Sequence, residues 1–350
     1  MIDFHSQYIK RCLDLSRLGR GRVAPNPIVG AVIVYQGKII GEGFHQKVGG
    51  DHAEIEAISK VANRSLLKHA TMYVSLEPCF HYGRTPPCVD SLLKYGFKEV
   101  VICQIDPDER VKGKSIEKLK DHGVEVQSGF LENEGSKRNA FFICRTQQQR
   151  PYIILKYAKT KTGIFGYEGE QLWISNPFVK RLVHRWRSEI GAILVGTNTA
   201  LVDNPQLNNR LYFGSSPLRI LLDRTLSVPK NIQLLTDGLP TLVVTEKTPL
   251  KGQSTPISYL QSSFDNTLIP NILAELNVRN IDSLLVEGGA ATLQQFLHHG
   301  YWDEARVFTS SQPFLSKKSK AIVAPVISSA PSKTFQIMDN ILEVYHASDL

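Results

Sequence analysis

Two hydrophobic periods alternate along the first 150 residues. Residues 4–19 place Tyr8, Ile9, Cys12, Leu13, Leu15 and Leu18 at helical spacing. Ile28–Tyr35 is a β-branched run, and Gln36-Gly37 turns it back into Lys38–Ile40, which predicts a hairpin. Asp51 is placed to cap a helix that begins at His52 and carries Ile55, Ile58 and Val61. Thr71–Leu76 reads as a short strand. Pro86-Pro87 open a helix bearing Cys88, Leu92 and Leu93, and Gly96 ends it. A strand over Glu99–Ile105, a helix over Ser115–Asp121, a strand over Val124–Gln127 and a helix from Asn133 follow. This order predicts an α/β sandwich closing near residue 145.

The polar stretch Arg145–Arg150, followed by Pro151, has no apolar period and marks a domain boundary. A second α/β pattern follows it. Strands are expected at Tyr152–Tyr157, Ile190–Val195, Leu218–Asp223, Thr241–Thr245, Ser283–Glu287, Glu304–Thr309 and Ile341–Tyr345. Helices are expected at Pro177–Arg187, Thr267–Leu276 and Ala290–His298. No internal repeat or low-complexity segment interrupts the pattern. The expected domains are residues 1–147 and 148–350, in keeping with a length of 350 residues.

Composition narrows the class. Apolar residues make up 42% and charged residues 21%, which excludes a disordered chain and a coiled coil. No apolar run approaches the ~20 residues of a membrane span, and no start reads as a signal peptide, so a cytoplasmic protein without a membrane partner is expected. The net charge of +8 divides as +5 before Pro151 and +3 after it. No run of five basic residues occurs; Lys317, Lys318 and Lys320 are the densest group. Nucleic-acid binding needs a clustered basic face, so no nucleic-acid partner is expected. Sites for small phosphorylated ligands account for the excess. Of five cysteines, Cys12, Cys103 and Cys144 lie on apolar patterns and read as core, and no disulfide is expected. Cys79 and Cys88 instead sit beside prolines in a polar loop.

His52-Ala53-Glu54 opens a helix, Pro78-Cys79 follows a strand, and Pro87-Cys88 opens the next helix. One imidazole and two thiolates are a favoured Zn²⁺ set that leaves a fourth position for water. The helix N-terminal dipole is expected to favour thiolate at Cys88 and, more modestly, at Cys79. Zinc brings the pKa of bound water to ~7. Glu54, two residues beyond the first ligand, is placed to carry a proton to a departing amine. The arrangement resembles the signature of zinc nucleobase deaminases.

Eight residues separate Cys79 from Cys88, where nucleic-acid deaminases have two. That longer segment (PCFHYGRTPPC) and Ala24-Pro25-Asn26-Pro27-Ile28-Val29-Gly30 resemble the pyrimidine deaminase of bacterial riboflavin biosynthesis over residues ~4–145. The resemblance implies a cytidine-deaminase-like α/β/α sandwich. It also implies hydrolytic removal of the 2-amino group from 2,5-diamino-6-ribosylamino-4(3H)-pyrimidinone 5′-phosphate. It places Asn26, His45, His81 and Asp106 at the substrate.

In that family a reductase with a dihydrofolate-reductase-like α/β fold follows the deaminase. The second half resembles it at Lys156, Gln171–Ser175, Arg187, Ala192–Gly196, Asp203–Leu207, Arg210 and Val286–Gly289. The implied reaction opens the ribose and transfers hydride from NADPH to C1′, leaving a ribityl chain. Asp203 is the implied catalytic residue. Lys156, Gln171, Arg187, Leu207, Arg210 and Glu287 are implied at the substrate, with Arg187 and Arg210 able to hold a phosphate. Lys159, Trp173, Thr199, Asp203, Gly288, Gly289, Ala290, Ala291 and Thr292 are implied at the cofactor, whose phosphate suits a helix N-terminus. Two positions depart from the family: Thr162 stands in an acidic place, and Gln171 stands where a small hydroxyl residue is common. A bifunctional enzyme, zinc-dependent and NADPH-dependent, is the expected function, with a dimer or tetramer as its assembly. The alternatives are a deaminase with an inactive second domain and a nucleic-acid base deaminase.

Overall fold

The computed structural model describes residues 4–82, 86–248, 256–312 and 319–349. Lys317 and Lys318 of the basic group lie outside them, as do Gly83–Thr85 of the cysteine loop. The chain divides into two compact units, Met1–Gln149 and Arg150–Leu350.

Among the described residues, the first unit holds one sheet, ordered β2 (Lys38–Phe44), β1 (Gly30–Tyr35), β3 (Thr71–Val74), β4 (Glu99–Ile102) and β5 (Glu125–Ser128). β1 is antiparallel to both β2 and β3, whereas β3, β4 and β5 are parallel. Its helices are α1 (Phe4–Ser16), α2 (Ala53–Ser59), α3 (Cys88–Tyr95), α4 (Lys114–Asp121), α5 (Glu132–Arg138) and α6 (Ala140–Gln148). Val32, Val34, Tyr73 and Val101 pack on Tyr8, Ile9 and Leu13 of α1. The alternate residues Ala31, Ile33, Met72 and Val100 pack on Ala53 and Ala57 of α2 and on Val89 and Leu92 of α3. Helices cover both faces, so these strands read as continuous apolar runs.

Several details differ from the sequence reading. The N-cap of α2 is His52 rather than Asp51, and it makes no side-chain capping bond because its imidazole is turned toward two sulfurs. β2 continues through Gly41-Glu42-Gly43 to Phe44, where the hydrophobic pattern fades. The glycines are there because α2 lies against the strand: a Cβ on Gly43 would stand 2.4 Å from Ala53 O and Ala57 N. β4 stops at Ile102, and the expected tail to Ile105 leaves the sheet to form a loop. Gly96 closes α3 in the left-handed region (φ 74°), as expected.

Among the described residues, the second unit has a nine-stranded sheet. Its order is β11 (Ile257–Gln261), β10 (Thr241–Thr245), β9 (Leu218–Leu222), β8 (Ala192–Gly196), β12 (Ser283–Val286), β6 (Tyr152–Thr160), β13 (Glu304–Ser310), β16 (Asn340–His346) and β15 (Lys333–Ile337). Strands β11 through β13 run parallel, and β16 and β15 complete the sheet antiparallel. A small sheet pairs β7 (Ile164–Tyr167) with β14 (Ala321–Val323). The helices are α7 (Pro177–Glu189), α8 (Thr197–Asp203), α9 (Gln233–Thr236), α10 (Leu268–Val278) and α11 (Ala290–His298). Ile272, Leu276, Leu293 and Phe296 of α10 and α11 bury one sheet face. Val179, Val183 and Trp186 of α7 cover Phe308 and Leu342 on the other.

The sequence reading missed β7, β11, β14, β15, α8 and α9. Each is short or lies at an edge: β15 is almost wholly exposed, and α8 buries only Ala200. Cys12, Cys103 and Cys144 are buried, and all five cysteines are free. Among the described residues, no helix is long and apolar enough to cross a membrane.

Candidate active sites

In the first unit, the ends of β3, α2 and α3 bring His52, Cys79 and Cys88 together, with one donor atom from each lying within 4.8 Å of the others. His52 Nδ1 stands 3.2 Å from Cys88 Sγ and 3.5 Å from Cys79 Sγ. Tetrahedral zinc, with Zn–S ~2.3 Å and Zn–N ~2.0–2.1 Å, sets N···S edges at about 3.5 Å, so the donor set fits that ion.

The two sulfurs have different surroundings. Cys79 is the one favoured as thiolate, lowered to about 4. The hydrogen bond from the Cys88 side chain is the main cause, acting against burial and helped by His52 and by the Cys88 backbone N–H. That N–H, the first of α3, donates to Cys79 Sγ at 3.2 Å. Cys88 is instead raised by its bond to Cys79 and by burial. The helix terminus thus acts on the neighbouring sulfur rather than on its own. Glu54 lies in the first turn of α2, 3% exposed. Burial raises its carboxyl, and the charge of His52 opposes that rise.

Asn26 and His45 adjoin this group. His45 Nδ1 lies 3.0 Å from Asp51 O, which assigns the proton to Nδ1. Nε2 is then free to accept from Asn26 Nδ2 at 3.2 Å. The His45 ring meets the His52 ring edge-on at 5.3 Å. Both ring nitrogens of His45 therefore have protein partners. Asp106 is buried, and Oδ1 accepts from Asp108 N–H at 2.8 Å. Burial pushes its carboxyl up to about 6. His81 is exposed, has no hydrogen bond among the described residues, and its charge acts on Asp108 of the Asp106 loop.

The sequence reading missed Glu77. Its buried carboxylate accepts the backbone N–H of Asp106 (3.3 Å), Gly113 (2.9 Å) and Ser115 (3.1 Å), tying the loop of Asp106 to the end of β3. An acidic residue directly before Pro78-Cys79, at the exit of an apolar strand, was the available signal.

In the second unit, a cavity of about 620 Å³ opens beside β6, β8 and the end of β12. Ligands of open parallel sheets bind at the carboxyl ends of their strands. Lys156, Arg187, Arg210 and Glu287 line it. Gln171, Trp173, Thr199, Asp203 and Leu207 line it as well. Arg187 Nη2 donates to Glu287 Oε2 at 2.8 Å, and Arg187 Nη1 donates to Asn208 O at 3.2 Å. Burial raises the Glu287 carboxyl, but Arg187 and Lys156 outweigh it and hold it below the usual range. Burial lowers Lys156, Glu287 opposes that, and Arg187 adds to it. Arg187, expected to be available to a phosphate, is thus already engaged by a carboxylate.

Arg210 is exposed at the rim, with Nη1 donating to Asn208 Oδ1 at 2.8 Å. Asp203 ends α8 at the same rim; partial desolvation raises its carboxyl. Its carbonyl accepts from Gln171 Nε2 at 3.3 Å. Trp173 is 61% exposed, and Lys180 Nζ sits 3.9 Å from its ring centroid. A lone tryptophan usually packs in a core; this one presents its ring at the cavity.

Lys159 and Gly288–Thr292 do not line the cavity. Lys159 is three residues beyond Lys156 on β6, an odd offset that turns it to the opposite sheet face. Gly288 packs against β8: a Cβ there would stand 2.3 Å from Val195 Cα. Gly289 has a positive φ of 54° and leads into α11, which begins at Ala290; Ala291 and Thr292 follow in its first turn. Thr162 lies in the turn after β6, its hydroxyl 2.9 Å from Thr160 Oγ1, and it is not among the residues lining the cavity. Lining residues absent from the sequence reading include His184, Lys180 and Gln233. His184 was findable, because it precedes Arg187 by one helical turn.

Comparison with known proteins places these two sites in context. Residues 2–104 match the family model of the cytidine and deoxycytidylate deaminase zinc-binding region, and residues 151–313 match that of the RibD C-terminal domain. The riboflavin biosynthesis protein RibD of Aquifex aeolicus is 39% identical over 313 residues, covering 87% of this chain and 86% of that protein. RibD of Escherichia coli K12 is 34% identical, covering 86% of each chain. The crystal structure of a diaminohydroxyphosphoribosylaminopyrimidine deaminase/5-amino-6-(5-phosphoribosylamino)uracil reductase from Thermotoga maritima superposes with a TM-score of 0.87 at 36% identity, covering 98% of each chain. The expected pairing of a deaminase-like sandwich with a reductase-type α/β unit is borne out.

Proposed function

The chain belongs to the RibD family of bifunctional riboflavin-biosynthesis deaminase/reductases, and from that premise we propose which of its residues carry each reaction. Deamination of 2,5-diamino-6-ribosylamino-4(3H)-pyrimidinone 5′-phosphate is assigned to residues 1–147. Reduction of 5-amino-6-(5-phosphoribosylamino)uracil is assigned to residues 148–350.

In the deaminase, His52, Cys79 and Cys88 hold zinc, which when bound makes water nucleophilic near neutral pH. Glu54 takes the proton of the attacking water on its carboxylate and returns it to the leaving amino nitrogen. Its buried position suits this work, because desolvation brings its pKa toward the operating pH. Asn26 orients the pyrimidine; His45, whose nitrogens are both engaged, fixes the Asn26 amide rather than touching substrate itself. Asp106 accepts a substrate N–H when ionised, and His81 belongs to the outer rim.

In the reductase, NADPH supplies the hydride when bound. Lys156, Glu287 and Arg187 form the polar floor beneath the opened ribose, and Arg210 takes the 5′-phosphate. Gln171 and Leu207 shape the substrate side. Trp173, Thr199 and Asp203 face the nicotinamide side, with Asp203 moving the proton that accompanies ring opening. Lys159, Gly288 and Gly289, and the backbone N–H groups of Ala290, Ala291 and Thr292, serve the outer parts of the cofactor. The partners are small phosphorylated pyrimidines, without nucleic acid, and the protein works as a cytoplasmic dimer or tetramer.

The observation that carries the reading is the convergence of His52 Nδ1 on two cysteine sulfurs at 3.2 and 3.5 Å, with Glu54 buried beside them. Metal analysis tests it. The purified chain should hold zinc at about one per chain, and Cys79→Ser should lose both zinc and ammonia release. A metal-free preparation that still deaminates contradicts it.

A further inference from the structure

His184, a residue only 4% exposed, stands on α7 one turn before Arg187, at the cavity wall. Its Nδ1 lies 3.2 Å from the backbone nitrogen of Arg210 and accepts that N–H. Arg187 Nη1 reaches the carbonyl of Asn208 from the same helix face, and Arg210 Nη1 donates to the Asn208 side chain. The strap Asn208–Arg210 is therefore hung on α7 at two points, one of them an imidazole lone pair. Burial, then the charges of Arg187 and Arg210, hold this imidazole down to about 4. It is neutral under physiological conditions, with the proton on Nε2 and Nδ1 available as an acceptor. A cationic histidine would lose the lone pair and add a third positive charge between two arginines.

We propose that His184 is a positioning residue of the reductase: its Nδ1 fixes the backbone at Arg210 and so aims the Arg210 guanidinium at the 5′-phosphate of the substrate. A backbone tether does this better than a side-chain contact, because it uses none of the guanidinium donors while removing the loop freedom that binding would otherwise have to quench. The proposal rests on the reading of Arg210 as the phosphate contact.

The test uses the full chain in steady-state reduction of the deaminated substrate and of its 5′-dephosphorylated analogue. His184→Asn keeps an acceptor at the Nδ1 position. His184→Gln moves it to the Nε2 side, and His184→Leu removes it. His184→Gln and His184→Leu should raise KM for the phosphorylated substrate about tenfold with kcat within about threefold, leave the analogue unchanged, and be rescued by His184→Asn. Two unsatisfactory variants are guarded against by requiring a cooperative thermal transition, with His184→Leu read if His184→Gln does not fold and the reverse. Equal losses in all three variants, or parallel losses on both substrates, reduce His184 to packing and overturn the proposal. Arg210→Gln separates the premise from the inference. If Arg210→Gln leaves KM for the phosphorylated substrate unchanged, the phosphate reading falls and the inference with it. If Arg210→Gln raises that KM and His184→Gln does not, only the inference falls.

Discussion

Arg187 Nη2 and Glu287 Oε2 meet at 2.8 Å with about a tenth of each side chain exposed, so a cation from α7 and an anion from the end of β12 share one wall of the reductase cavity. Removing one partner strands the other in a desolvated place. Arg187→Ala should destabilise the second unit by about 3–5 kcal/mol, read from urea unfolding, and abolish reduction. The pH dependence has a definite sign. Glu287 is held below the ordinary carboxyl range, so its contribution is present above that range and is lost as pH falls through the lowered folded value. Acid unfolding of the second unit should therefore shift in Glu287→Gln.

Glu54→Gln keeps the shape of the buried side chain and removes its ability to take a proton. Ammonia release should fall by about 10²- to 10⁴-fold while metal analysis still finds zinc. Reduction of substrate that has already been deaminated should be unchanged. Loss of zinc together with activity would instead make Glu54 part of the metal site.

Asp106 gives the deaminase a second signature. Its carboxyl is raised to about 6 by burial, so it is protonated below that pH and ionised above it. An acceptor role predicts that kcat/KM for deamination falls as pH drops below about 6, and that Asp106→Asn loses this acid limb. The stability sign is opposite to that of Glu287: a raised carboxyl favours the folded state at low pH and loses that contribution as pH rises through 6. An unchanged limb in the variant would assign the titration elsewhere.

Gly288→Ala tests the packing behind the cofactor side. The new methyl would stand 2.3 Å from Val195 Cα and 2.7 Å from Gly196 N, and neither backbone atom can swing away. A loss of about 1–3 kcal/mol is expected from such overpacking, together with weaker NADPH binding measured by fluorescence titration.

How much of this was legible in the chain depended on how local the cause was. The hairpin at Gln36-Gly37, the end of α3 at Gly96 and the full span of α11 follow from turn chemistry and helical period, and the structure keeps them. The zinc group was legible because its residues sit at three element starts or ends with a fixed offset to Glu54. Long-range causes were not. Gly41 and Gly43 look like breaks in a strand until α2 is seen lying on them. Glu77 reads as an ordinary acid until three N–H groups from a loop some thirty residues on arrive at it. Cys79 is favoured as thiolate chiefly because the Cys88 side chain donates to it, with the first N–H of α3 adding to that, and neither contact shows in the spacing. Arg187 looked available to a phosphate because its carboxylate partner lies 100 positions away.

The most direct test of a two-reaction chain follows ammonia release and NADPH absorbance together on the purified protein supplied with the diamino substrate. Ammonia should appear first and NADPH should then be consumed, in a final ratio of about one to one, with Glu54→Gln blocking both signals and added deaminated substrate restoring NADPH consumption alone. Ammonia release with no NADPH oxidation, from a chain whose second unit is folded, would contradict a two-reaction chain and leave a deaminase carrying an inactive reductase fold.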